Sequence, residues 1–296
     1  MTAGVRADHG GFYPNPDRLI IGLTGAHAAA TTAAPAPAAP IPAAKPLANG
    51  RDSLTRALGL KIKTVVLDAG HGGHDTGTIG RGGLDEKNIV LDVTLRLGKL
   101  LRQRLGLNVV YTRTTDVFIP LQERTAIANA AHADLFVSIH ANSGPSPQTR
   151  GVETYFLNFT RDPRALAVAA RENAGSGDGI HDLPHLLQTI ALNNKLEESH
   201  ELAADVERSL SRATGEDNRG VKTAPFVVLI GARMPSILAE ISFLSNGTDD
   251  RRLRTAAYRQ RIAEGLYQGL RTYILSLSGT SAATIASDAS VPAPHR

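Results

Sequence analysis

Between residues 61 and 277 the chain alternates short apolar runs with amphipathic stretches. The runs are rich in β-branched and aromatic residues: TVVL at 64–67, LNVVY at 107–111, DLFVSI at 134–139, GVETYFL at 151–157 and PSILAEI at 235–241. Runs of this length and composition predict buried strands. After the first run, Ile89, Val93, Leu97, Leu101 and Leu105 recur every fourth residue, which predicts a helix with one core-facing stripe. Asp85 is its expected cap and Gly106 its stop, so Glu86 falls in the first turn. A second helix is expected over 120–131, with Pro120 at its start, and a last one over 255–277, with Ile262, Leu266, Leu270, Tyr273 and Ile274 turned inward. Residues 160–215 read as polar and helical, with Leu183, Leu186, Leu187 and Ile190 at helix spacing. Strand, helix, strand, helix, strand implies an α/β fold: a single catalytic domain, its mainly parallel twisted sheet flanked by helices.

The flanks read differently. Residues 1–27 carry one short apolar patch at 19–23, and 28–60 form a linker whose Ala/Pro content over 28–48 buries little and stiffens toward polyproline II. Residues 61–277 are the catalytic domain, and 278–296 are a Ser/Ala/Thr-rich tail expected to be disordered. An export signal is not distinct, because the patch at 19–23 is too brief for a signal-peptide core. No apolar run reaches the roughly 18 residues of a membrane-spanning helix.

Composition narrows the chemistry. With no cysteine, disulfides, thiolate zinc sites and a cysteine nucleophile are excluded, so any metal must be held by histidine and carboxylate. The net charge of +4 favours an anionic partner, but 32 basic residues are scattered among 28 acidic ones and cluster only at Arg251, Arg252 and Arg254. That distribution is only weak evidence for nucleic acid, which is not an expected partner, and it suits an anionic polymer such as cell wall equally well.

The first run leads through Asp68 into a glycine-rich loop, AGHGGHDTG at 69–77. It is not a dinucleotide loop, since Asp75 stands where G-x-G-x-x-G needs its third glycine and no helix starts directly after. In open α/β sheets ligands gather beyond the carboxyl ends of the strands. Three predicted strands end there in His71, His140 and Glu240, and Glu86 opens the helix after the first loop. Two imidazoles and one carboxylate with an open fourth position suit hydrolytic zinc, so His71, Glu86 and His140 are the expected metal ligands. Glu240 is the remaining carboxylate and the expected catalytic base. His74, in the loop, and His132, at a helix end, read as exposed.

These residues lie in ordered motifs: LDAGHGGHDTG with His71, GLDEKN with Glu86, TRTTD with Arg113, DLFVSIHAN with His140, RGVKTAPFVVL around Gly220, and PSILAEISFLSN with Glu240. Over about 63–274 the chain resembles the zinc-dependent N-acetylmuramoyl-L-alanine amidases of the amidase_3 family, the AmiC-like cell-wall hydrolases. The resemblance implies the same ligands and base, and cleavage of the amide between N-acetylmuramic acid and the L-alanine of the stem peptide in peptidoglycan. It implies a periplasmic or extracellular location. Relatives of that family carry a helical insertion between the His140 and Glu240 motifs that can cover the site until an activator protein moves it, and the stripe in 178–195 is read as such a lid, the other reading being an ordinary surface helix docked on the sheet. GGFYPNPDRLIIGL resembles the last strand of an AMIN-type wall-targeting domain, so residues 1–27 are expected to be a remnant of one. Histidine at 74 departs from many relatives and leaves an additional transient ligand open. Two other readings of the same site are a zinc peptidase or carboxypeptidase acting on stem peptides and a non-catalytic wall-binding protein.

Overall fold

The computed structural model describes residues 6–13, 18–24, 61–175 and 193–277. The chain divides into two units, Met1–Pro40 and Ile41–Arg296. In the first, β1 (Arg6–Tyr13) and β2 (Arg18–Thr24) form an antiparallel hairpin closed by the Tyr13–Arg18 pair. The sequence pattern marked only the second arm. The first, RADHGGFY, is diluted by Gly10 and Gly11 and carries no apolar alternation. The linker and tail expected at 28–60 and 278–296 lie outside the described residues.

The second unit is an α/β domain. In chain order its elements are β3 (Thr64–Ala69), α1 (Glu86–Leu105), β4 (Asn108–Tyr111), α2 (Leu121–Ala130), β5 (Leu135–Asn142), β6 (Val152–Leu157), α3 (Pro163–Glu172), α4 (Asn193–Thr214), β7 (Asn218–Ala224), β8 (Ser236–Phe243), α5 (Gly247–Leu253) and α6 (Ala256–Leu277). The six strands form one sheet in the order β4-β3-β5-β8-β6-β7. β4, β3, β5 and β8 are mutually parallel, whereas β6 runs antiparallel to β8 and parallel to β7.

Alternation divides the sheet into two faces. Val65, Leu67, Leu135, Val137, Ile139, Ile237 and Ala239 point to a core closed by α1, α4 and α6. Val66, Phe136, Leu238 and Tyr155 point to a second core under α2, α3 and the 3-10 turn at Val227–Leu229. Burial on both faces explains why the parallel strands read as continuous apolar runs rather than alternating ones. α4 and α6 approach so closely that a Cβ on Gly269 would lie 2.5 Å from the Val206 Cα.

β7 was not anticipated as a strand. Its sequence NRGVKTA is polar and only partly buried, because it is an edge strand with a pairing irregularity opposite Glu153. The expected cap at Asp85 also differs: its backbone is extended, but its side chain makes no capping hydrogen bond. The reversal of β6 matters most for the site. Since β6 starts level with Glu240 and runs away from it, α3 returns over the second face and brings its C-terminal end to the sheet edge where the other strands finish.

Candidate metal centre

The site is built on the second face, where one row across the sheet reads His140, Glu240, Glu153 in paired register. Glu240 is the fifth residue of β8 rather than its last, and it is fully buried. His71 follows β3 on the glycine-rich loop and has φ of 59°, a left-handed backbone that costs a non-glycine residue of order 1 kcal/mol or more. Two buried arginines hold it there. Arg113 donates from Nη2 to the Gly70 carbonyl (2.7 Å) and from Nε to the Ala69 carbonyl (2.9 Å). Arg124 donates from Nη2 to the His71 carbonyl (2.9 Å) and from Nη1 to both the Ala69 carbonyl (2.8 Å) and Asp68 Oδ1 (2.9 Å).

Asp68 also accepts from the Thr112 and Ser138 hydroxyls, at 2.6 and 2.7 Å. Burial alone would raise its pKa, but Arg124 and these hydroxyls outweigh that and hold it low. The loop glycines are sterically required. A Cβ on Gly70 would lie 2.4 Å from the His140 ring, and one on Gly77 would lie 2.6 Å from the His71 ring and 2.7 Å from Glu86 Oε2.

Four side chains converge here: His71, Glu86, His140 and Glu172, all buried, with one ligand atom from each lying within 4.8 Å of the others. His71 Nε2 is 3.2 Å from His140 Nδ1, 3.1 Å from Glu86 Oε1 and 3.2 Å from Glu172 Oε2. His140 Nδ1 is 3.4 Å from Glu86 Oε1 and 2.9 Å from Glu172 Oε2. A tetrahedral zinc with bonds of about 2.0–2.1 Å requires ligand–ligand edges of about 3.3 Å, so these five separations fit such an ion.

Hydrogen bonding agrees with the fit. Glu172 Oε2 is buried without a hydrogen-bond partner, as a metal ligand would be. Glu86 is fixed by the Ala141 and Thr78 amides, each 2.8 Å from one carboxylate oxygen. His71 Nδ1 lies 2.9 Å from Asp75 Oδ2, which directs Nε2 toward the cluster.

Charge makes the same point. Burial disfavours imidazolium at both histidines, yet the surrounding carboxylates outweigh it. Glu86 contributes most to raising His71, while Glu172 leads in raising His140 to about 9. Glu86 and Glu172 are lowered despite burial by the same two rings. Glu240 is raised well above the usual carboxylate range, first by burial and then by the Glu172 charge, and both its oxygens lack hydrogen-bond partners among the described residues. Three buried carboxylates beside two imidazoles call for a cation, and a cavity of about 210 Å³ lined by Thr78, Arg171, His71 and Glu172 opens onto them.

His71, Glu86 and His140 thus meet in one cluster, with Glu240 in the adjoining strand position. His74 does not join them; it is exposed and stacks on Phe118 at 4.2 Å. His132 is exposed at the end of α2. Glu172 escaped sequence reasoning altogether, since it ends a helix in a segment whose direction is set only by the reversal of β6. The leucine stripe at 183–190 falls outside the described residues, so the 178–195 lid stands there as an expectation.

A mainly parallel α/β sheet that gathers His, Glu, His and a buried glutamate at its carboxyl edge, in a group that could hold a metal ion, is the architecture of a hydrolase. Residues 65–272 match the Amidase_3 model, described as N-acetylmuramoyl-L-alanine amidase, and the chain belongs to that family. Its relatives include the N-acetylmuramoyl-L-alanine amidase AmiA of Escherichia coli, 36% identical over 220 residues that cover 71% of this chain and 76% of AmiA. The fold is similar to the crystal structure of the Clostridium difficile 630 amidase, with a TM-score of 0.58 and 28% identity, covering 72% of this chain and 97% of that one. It is also similar to the CwlD amidase of Clostridioides difficile, solved in complex with the GerS lipoprotein, with a TM-score of 0.57 and 26% identity over 72% and 98% of the two chains. Among the described residues no helix is long and apolar enough to cross a membrane.

Proposed function

We propose that this enzyme cleaves the amide between N-acetylmuramic acid and the L-alanine of peptidoglycan stem peptides, with zinc held by His71, Glu86 and His140. The observation that carries this reading is the convergence of those three ligand atoms with Glu172, within 4.8 Å of one another, beside the unpartnered Glu240. Bound there, zinc would supply a Lewis acid for the scissile carbonyl and lower the pKa of water to near neutrality. Glu240 removes the proton of the attacking water and returns it to the departing alanine nitrogen. After burial, the charges of Glu172 and Glu86 weigh among the causes of its high pKa. Compensating them brings Glu240 back toward a range where it accepts a proton near neutral pH. Asp75 keeps the His71 ring oriented, and the Arg113 and Arg124 contacts keep the loop backbone under it.

In this arrangement Glu172 stands where water and substrate must enter. An activator protein that draws the end of α3 away would open the fourth position, and the complex of the related CwlD with a lipoprotein supports a partner of that kind. The substrate sets the location as periplasmic or extracellular.

Mass spectrometry of purified peptidoglycan after digestion tests the reading. The expected products are free stem peptides beginning with L-alanine and glycan carrying free lactyl groups, both abolished by a chelator and restored by zinc. Glu240→Gln should retain zinc and lose roughly 100-fold or more in turnover. Cleavage within the stem peptide instead would overturn the assigned bond, and near-normal turnover of the Gln variant would remove Glu240 from the mechanism.

A further inference from the structure

A second cavity, of about 390 Å³, lies beyond the same carboxyl edge of the sheet, and its lining includes Arg150, Gln148, Thr248 and Arg251. Its two walls are the segments that leave the site strands. One is the stretch after β5, which bears His140, and the other is the stretch after β8, which bears Glu240. They are tied together. The Gly144 amide donates to Ser245 Oγ (2.8 Å), and Asn246 Nδ2 donates to the Pro147 carbonyl (2.8 Å).

None of the described side chains lining the cavity is acidic, and it presents two guanidinium groups. Arg150 is backed by Asp217 at 3.2 Å, and Arg251 donates to Thr248 Oγ1 at 3.2 Å, so each is oriented while leaving donors to spare. The first amides of α5 are already taken by Asn246 Oδ1, which accepts from Thr248 N (2.8 Å) and Asp249 N (3.2 Å). The recognition elements are therefore the arginine side chains. Paired, planar guanidinium donors match a carboxylate.

Distance selects which carboxylate. Arg150, in the cavity wall, lies three residues before Glu153, the register partner of Glu240, so no more than about 10 Å of chain separates it from that row. An extended peptide covers that span in about three residues. We propose that this cavity is a specificity subsite that binds a free carboxylate of the stem peptide, a few residues from the scissile amide, through Arg150 and Arg251. The enzyme accordingly favours stem peptides with unmodified carboxylates over those in which they are amidated. This rests on the amide-hydrolase reading above.

The test uses the zinc-loaded protein and two purified muropeptides that differ only in whether the stem carboxylates are free or amidated. The wild type is expected to show a kcat/KM about tenfold or more higher on the free acid. In the doubly substituted Arg150→Gln, Arg251→Gln protein that preference should vanish through a rise in KM, with zinc content and thermal midpoint unchanged. Arg150 and Asp217 form an exposed pair whose loss costs little stability, so folding is preserved. Equal rates of the wild type on both muropeptides, or a preference retained by the double variant, would overturn the subsite. An effect seen only on intact wall bearing phosphate polymers, and not on muropeptides, would also overturn it, since the anion would then be a phosphate. Failure of the wild type to cut either muropeptide would instead refute the underlying activity.

Discussion

Removing Glu172 should raise basal activity. Its Oε2 lies 2.9 Å from His140 Nδ1 and 3.2 Å from His71 Nε2, which places it at the fourth corner of the cluster. Glu86 and Glu240 are buried nearby, so Glu172 adds a third carboxylate where like charges repel. It also ends α3, where the helix dipole disfavours an acid by about 0.3–1 kcal/mol. Helix stability does not explain a glutamate there, whereas pairing with the two imidazoles and occupation of the coordination position do. A charged contact of this kind, on the scale of hydrogen bonds to charged groups, is worth about 1.5–3 kcal/mol. Losing that differential should shift the closed-to-open equilibrium roughly 10- to 150-fold toward the open form. The assay is release of dye from covalently labelled peptidoglycan by Glu172→Ala without any partner, alongside zinc content by metal analysis. The expected result is a large gain in basal rate with about one zinc retained on His71, Glu86 and His140. A lower rate accompanied by metal loss would refute the reasoning, because Glu172 would then be a permanent ligand.

Three further outcomes follow from the same contacts. Asp75→Ala frees the His71 ring to turn and should weaken zinc binding about 10- to 100-fold in competition with a chromogenic chelator; unchanged affinity would remove Asp75 from the site. Arg124→Met strands the buried Asp68 and should cost about 3–5 kcal/mol in urea unfolding, while a cost below about 1 kcal/mol would show that Thr112 and Ser138 suffice for Asp68. Glu207, accepting from Thr154 Oγ1 and the Gly220 amide, has its pKa raised to about 7, chiefly by burial. Below the unfolded value near 4.5 it is protonated in both states, and between 4.5 and 7 only the native state holds the proton, so stability falls as pH rises through that window. Glu207→Gln should therefore stabilise the protein by up to about 3 kcal/mol at pH 8 and by almost nothing at pH 4; an equal gain at both would contradict the raised pKa.

The sheet was legible because β3, β5 and β8 are buried on both faces, and that burial imposes uninterrupted apolar runs that no surface segment needs. His71, His140 and Glu240 were legible for a related reason. Each is a polar group set in or directly after such a run, where a lone charge is costly to bury. Glu86 could be placed by the helix that it starts. The edge strand β7 and the direction of β6 were not legible. Neighbour order in a sheet depends on long-range pairing, which leaves no local periodic signal in a sequence as polar as NRGVKTA.

Glu172 was lost with them. It sits at the end of PRALAVAARE, where a polar residue is ordinary, and only the return of α3 over the second face carries it to the cluster. The same distinction separates machinery from control. His71, Glu86, His140 and Glu240 come from elements whose positions are fixed by the sheet and α1, and two buried arginines lock the loop beneath His71. Glu172 comes from the short α3, which packs on the sheet chiefly through Ala165, Val168 and Ala169. Small alanine contacts bury little apolar area, at about 25 cal/mol per Å², so the hold on the end of α3 rests largely on a few polar contacts, Arg171 to Asn142 and Asn173 to Pro225 and Val227. On the proposed reading, a ligand that has to leave belongs on such an element, and ligands that have to remain belong on the strands and the helix packed against them.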